Sequence, residues 1–339
     1  MAAPQLLLSS KIPSDCVIDD FDLVHHDERL LAICADAISN VYSWDPATDH
    51  WRHHPLDTPF DDGDMDFIEI RAIAAVDVDG RVVVGGGADH QPFAVWDLET
   101  GAVRSHARLD HAGVGRARGG LLGDRPVLVA GDSSVPPRLR IWDARGDDTT
   151  EPPEFYAGFE STGDVAVGEN AGTPVVVWGQ WDGTVTVWDV AKAEESNVPD
   201  CPIGGVAGVG MATVDGEERV VVAGDFMVAL ADPYTGEWFE PELPEEPDED
   251  DDPDGDETGI TCMDVGALAG RPIAVVGTAD GRVQVWDLTT PRSVGELARD
   301  HEDDVCAVRV AVLDARTVAI TAGRDKLMRV WDLAPVVDW

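Results

Sequence analysis

The sequence predicts an all-β fold built from seven similar antiparallel sheets, and three observations carry that prediction. A Trp-Asp pair recurs at Trp44-Asp45, Trp96-Asp97, Trp142-Asp143, Trp188-Asp189, Trp286-Asp287 and Trp331-Asp332, with spacings of 52, 46, 46, 98 and 45 residues. The doubled spacing holds a degenerate copy, with Ala231-Asp232 in the Trp-Asp place. Each copy also has an aspartate upstream: Asp182, Asp225, Asp280 and Asp325 six residues before, Asp89 seven, Asp36 eight and Asp132 ten. Short β-rich runs flank that aspartate on both sides. A fixed period of this length, with several short strands per period, marks a repeat architecture.

Within one period the elements follow in order. A run of small residues comes first, as in AIAAV, GVGRARGG, DVAVG and GVAGVGMATV. A second run rich in β-branched residues ends at the upstream aspartate, as in TPVVVWG, RPIAVVG and RTVAITAG. A third, such as TVTVW, RVQVW or LMRVW, ends on the tryptophan, and a fourth completes the meander. Turn signals such as DG, GDR and DGEE separate the runs. A four-stranded sheet cannot bury both faces alone, so neighbouring sheets must stack, and a closed ring protects the remaining edges. Small residues in the first run suit strands that line a narrow central channel.

The pattern resembles the WD40-repeat family along nearly the whole chain. The resemblance implies a seven-bladed β-propeller of four-stranded antiparallel blades, a single domain over residues 1–339. It further implies that an amino-terminal strand completes the last blade: WDLAPVVDW ends just after a third strand, and PQLLLSS at 4–10 is the expected fourth. The last copy matches the family best. His301, Thr321, Asp325 and Trp331 fall where the family places its His–Ser/Thr–Asp–Trp hydrogen-bond network. Elsewhere the network is eroded: Ala32, Gly85 and Trp178 occupy the Ser/Thr place, and His111 is the histidine for blade three.

Charge narrows the partners. The chain has 66 acidic residues against 24 basic ones, a formal net charge of −42, and only Lys11, Lys192 and Lys326 are lysines. Such a field repels phosphate backbones, so no nucleic-acid partner is expected, and proteins with basic surfaces are favoured. No spanning segment or secretion signal is visible, so no membrane association is expected. Five scattered cysteines without CxxC spacing fit a reducing cytoplasm. A stretch at 240–258 should be a disordered acidic loop, since ten of the thirteen residues at 245–257 are acidic and two are proline.

Motifs of chemistry are missing. Asp250, Asp252, Asp254 and Gly255 imitate the start of a calcium loop, but Thr261 stands where its bidentate glutamate belongs. His53 and His54 would point to opposite faces of a strand, which does not suit a shared metal. Gly113-x-Gly115 and Gly208-x-Gly210 lack the full dinucleotide fingerprint. No cofactor, metal or catalytic residue is therefore expected.

The expected function is a non-catalytic scaffold, a monomeric propeller that binds other proteins on the face carrying the turns before the third strands. The residue preceding the turn aspartate is mostly small, but it is Trp181 in blade four and Arg324 in blade seven. Tryptophan and arginine are the types enriched in binding hot spots. His90, Phe226 and the blade-entry residues His111, Phe67 and Phe159 join them as lesser candidate contacts. Trp181 could instead fold over its own blade, and Arg324 could pair with a carboxylate of this chain. The alternative is an enzyme, or a propeller binding a small molecule or metal, that uses carboxylates at the central channel.

Overall fold

The computed structural model describes residues 4–57, 70–87, 93–107, 114–132, 138–146, 154–156, 162–192, 194–198, 201–239, 259–296 and 300–336. They form seven four-stranded antiparallel sheets arranged as a ring of blades. Blade one is Ile18–His26, Arg29–Asp36, Val41–Asp45 and His50–His54, from the inner strand outwards. The inner strands of blades two to seven are Ala72–Val78, Val114–Leu122, Thr162–Asn170, Gly208–Val214, Ile260–Leu268 and Val305–Leu313. The expected acidic loop at 240–258 lies outside the described residues, as do His90, His111, Phe67 and Phe159.

The ring closes as expected. Gln5–Lys11 pairs antiparallel with Leu327–Asp332, Gln5 opposite Asp332 and Lys11 opposite Leu327, and so becomes the outer strand of blade seven. Ser10 reaches sideways to blade one, donating from Oγ to Asp49 Oδ1 at 2.5 Å and accepting from Trp51 Nε1 at 2.9 Å. Strand pairing to the last blade and side-chain bonds to the first thus meet in one segment.

The core sits between blades. Each of seven buried clusters draws residues from two adjacent sheets, and together they span every seam of the ring. The tryptophan of each Trp-Asp pair belongs to the seam with the preceding blade. Trp44 packs in the seven–one seam, Trp96 in the one–two seam, Trp142 in the two–three seam and Trp331 in the six–seven seam. In blade five Ala231 replaces the tryptophan, and Trp238, directly opposite it on the outer strand, packs against the same seam. One large aromatic per seam explains the period, because each buries well over 100 Å² of apolar surface.

The aspartate that follows has a different task. Its Oδ1 accepts backbone N–H groups two or three residues on, as Asp45 does from Ala47 at 2.9 Å, Asp189 from Lys192 at 3.0 Å and Asp232 from Tyr234 at 2.8 Å. Asp97, Asp143, Asp287 and Asp332 make the same local bond. An aspartate in this place closes the turn into the outer strand, which is why it persists in blade five where the tryptophan does not.

Candidate functional site

The inner strands place two rings of side chains around the channel. In blades one, three, four, six and seven a bulge follows the first paired residue, between Ile18 and Asp20, Val114 and Arg116, Thr162 and Asp164, Ile260 and Cys262, and Val305 and Ala307. A bulge re-aims the next side chain. Asp20, Arg116 and Asp164 therefore share one ring, and Asp22, Arg118, Asp264 and Arg309 share a second ring two residues deeper. Small residues do occur here, but the channel is lined by seven charged groups that the reading of small inner strands did not anticipate. The tripeptide Arg116-Ala117-Arg118, inside an otherwise small-residue run, was the available signal.

These charges are bonded to one another. Asp20 takes Arg118 at 2.8 Å on one oxygen and Arg309 at 2.8 Å on the other. Arg118 also holds Asp164 at 3.0 Å. Asp22 Oδ2 accepts the backbone N–H groups of Ala75 at 2.9 Å and Gly119 at 2.7 Å. Asp164 Oδ2 accepts from Val209 at 3.2 Å, and Asp264 Oδ2 from Val310 at 2.7 Å. Each of these three aspartates thus clasps the inner strand of the next blade. Burial works to raise the carboxyl of Asp20, but the Arg118 and Arg309 fields outweigh it and hold it below the usual range. At Asp22 and Asp264 burial wins over the same arginines, and both carboxyls are raised. Asp22, Arg118, Asp164, Asp264 and Arg309 line a channel cavity of about 460 Å³, whose wall continues along the inner strands of blades four and five.

The upper face, where the inner strands begin, carries the turns singled out above. Trp181 is 50% exposed and Phe226 is 62% exposed. Trp181 does not fold over its own blade alone: its ring faces the backbone of Gly205, where a Cβ would stand 3.6 Å away. That loop is pinned to blade five, since Gly204 N donates to Asp225 Oδ2 at 2.9 Å and a Cβ at Gly224 would strike the Gly205 carbonyl. The two aromatics therefore occupy neighbouring turns with a tied loop between them. Arg324 pairs with a carboxylate of this chain, its Nε 3.1 Å from Asp304 Oδ2.

The blade-seven network has the geometry of a connected chain. His301 Nδ1 lies 3.1 Å from Asp325 Oδ1, its Nε2 lies 2.8 Å from Thr321 Oγ1, and Trp331 Nε1 donates to Thr321 Oγ1 at 3.1 Å. Arg329, on the same strand as Trp331, adds a 2.7 Å bond to Asp325. Burial opposes ionisation of Asp325, yet His301 and Arg329 bring its carboxyl down to about 2. Where the network is eroded, something else fills the place. A Cβ at Gly85 would lie 2.4 Å from the Phe93 ring, which stacks on Trp142 at 4.1 Å. Trp178 itself donates to Thr162 Oγ1 at 3.1 Å.

His54, which the strand alternation separates from His53, is buried and bonded to Ser43 Oγ at 2.8 Å and to the Leu98 carbonyl at 3.0 Å. Among the described residues no group of three or more His, Cys, Asp or Glu is placed to hold a metal ion. No helix among them is long and apolar enough to cross a membrane. No protein-family model matches the sequence, and no curated protein matches it. The chain is a seven-bladed β-propeller closed by its amino-terminal strand.

Proposed function

We propose that this propeller belongs with the WD-repeat proteins and acts as a non-catalytic scaffold, binding other proteins, basic ones among them, on its upper face. The observation that carries this reading is the pair of half-exposed aromatics, Trp181 and Phe226, on neighbouring turns across a loop held by Gly204 and Asp225. Large apolar side chains displayed on a stiff support lose little entropy on binding, and tryptophan is among the residues enriched in hot spots. The charge of −42 adds long-range attraction for a basic surface. The family reading is supported by the shared tasks of the repeated tryptophan and aspartate and by the His301–Thr321–Trp331 chain. Five free cysteines suit a cytoplasmic monomer.

Catalysis by channel carboxylates is less well supported. Asp20, Asp22, Asp164 and Asp264 are engaged by arginines and by backbone N–H groups of neighbouring blades, which are tasks of assembly.

The test is a pull-down from the native cells with tagged wild type beside a Trp181→Ala/Phe226→Ala double variant of matched melting temperature, read by quantitative mass spectrometry. Proteins retained by the wild type and lost from the variant are expected. Identical recovery by the two baits refutes the assignment of this surface.

A further inference from the structure

We propose that the upper turns of blades four and five form a receptor for an arginine side chain of a partner protein, its guanidinium stacked on Trp181 and paired with Asp182 or Asp225. The inference rests on the scaffold reading and names the chemistry that this surface recognises.

Both turns set an exposed aromatic beside an exposed aspartate, Trp181 with Asp182 and Phe226 with Asp225. Each carboxylate is half used. Asp182 Oδ1 accepts the Thr184 N–H at 2.8 Å, and Asp225 Oδ2 accepts the Gly204 N–H at 2.9 Å. The other oxygen of each has no partner among the described residues. Trp181 rests on Gly205 and is still 50% exposed, so indole surface remains open beside these oxygens.

The chain spends its own arginines on the corresponding turns of other blades. In blade six Asp280 Oδ2 meets Arg282 Nε at 2.9 Å, and in blade seven Asp325 Oδ2 meets Arg329 Nη1 at 2.7 Å. Those arginines stand two and four residues past the turn aspartate. The same places hold Thr184 and Thr186 in blade four, and Met227 and Ala229 in blade five. Over residues 146–270 only Lys192 and Arg219 are basic. Both sit at the lower ends of their blades, Lys192 on Asp189 at 2.6 Å and Arg219 on Asp232 at 3.4 Å. Among the described residues, then, no cation of this chain reaches the two aspartates, and an arginine from outside takes the place that Arg282 and Arg329 fill internally. A planar guanidinium can stack on an aromatic face and fork to a carboxylate at once, which a lysine ammonium cannot.

Fluorescence anisotropy at physiological ionic strength tests this with a labelled, capped peptide of four Arg-Gly repeats, beside Lys-Gly and citrulline-Gly counterparts. The full chain is expected to bind the arginine peptide about threefold or more tighter than the lysine peptide, and the neutral citrulline peptide more weakly than either. Trp181→Ala and Asp182→Asn should each weaken the arginine peptide about threefold or more. Asp182→Asn keeps an oxygen for the Thr184 bond, so the turn is retained. Asp314→Asn, an equal loss of charge on the lower hairpin of blade seven, should change nothing. Equal binding of the arginine and lysine peptides, or equal affinity in the Asp182 and Asp314 variants, would show diffuse attraction to an acidic surface and overturn the proposal. That result, with partners still lost from the Trp181→Ala/Phe226→Ala bait, leaves the scaffold reading standing, whereas identical recovery by the two baits refutes the surface itself.

Discussion

Asp22 reaches past the neighbouring blade to Gly119, accepting its backbone N–H at 2.7 Å across 97 positions of sequence. The same oxygen holds Ala75, so one buried carboxylate joins the inner strands of blades one, two and three. A ring of sheets has no central element to organise it, and a side chain that spans three blades supplies that role.

Replacing that carboxylate removes the acceptor of two backbone donors on neighbouring blades, besides that of Leu23 on its own strand. Each buried donor left unpaired costs about 1–3 kcal/mol. Asp22→Ala should therefore lower stability by roughly 2–6 kcal/mol, whereas Asp22→Asn, which keeps a carbonyl oxygen, should lose less. Chemical denaturation followed by tryptophan fluorescence measures both, and equal midpoints for Asp22→Ala and wild type would show the clasp to be idle.

Gly119 is constrained by the same approach. A Cβ there would stand 1.9 Å from the Ala75 carbonyl oxygen. Gly119→Ala must separate two inner strands, and overpacking of this kind costs about 1–3 kcal/mol or more. Gly80 has a φ of +79° and open space around it, so Gly80→Ala pays only the left-handed penalty of about 1–2 kcal/mol. Melting curves of the two variants should separate, with Gly119→Ala the lower.

Loss of the closing strand should be felt through the whole ring. Deleting residues 1–10 unpairs the third strand of blade seven and removes the Ser10 bonds to Asp49 and Trp51. A loss of several kcal/mol corresponds to a fall in melting temperature of roughly 5 °C or more for a protein this large. A deletion protein that melts with the wild type would mean that the ring holds without its latch.

Two buried histidines set a pH dependence. Burial lowers the pKa of His54, and at His301 it lowers the pKa against the opposing pull of Asp325. Both imidazoles therefore stay neutral in the folded ring at pH values where the unfolded chain, titrating near about 6.5, takes up protons. Their stabilisation is present above that pH and is lost as pH falls below it, by at most about 1.4 kcal/mol per unit for each. Between pH 7.5 and 5.5 the wild type should lose stability, and His54→Gln should show a shallower decline. Parallel pH profiles for the two proteins would refute this.

The upper face illustrates how far the sequence could be read. Trp181 and Arg324 were both conspicuous, being large residues in a place otherwise held by alanine and glycine. What each of them does at the surface depended on neighbours distant in sequence. Arg324 is tied to Asp304 from the loop before it, while Trp181 lies on Gly205 and remains half exposed. Phe226 joins it because Asp225 anchors the intervening loop.

The resemblance to the WD40-repeat family implied the closing strand and the blade-seven network, while the sequence by itself determined the number of blades and their strand order. Those features rest on local chemistry repeated at a fixed period: a tryptophan for each seam, an aspartate for each turn, and alternation along each strand. The missing tryptophan of blade five did not hide its copy, since Asp232 still closes the turn. The channel was decided by the tertiary structure. Asp20, Arg118 and Arg309 lie 98 and 289 positions apart, and a charge in one inner strand has meaning only once ring closure brings its partners within about 3 Å. A periodic sequence reports what every blade does alike, whereas the channel is built from the positions at which the blades differ.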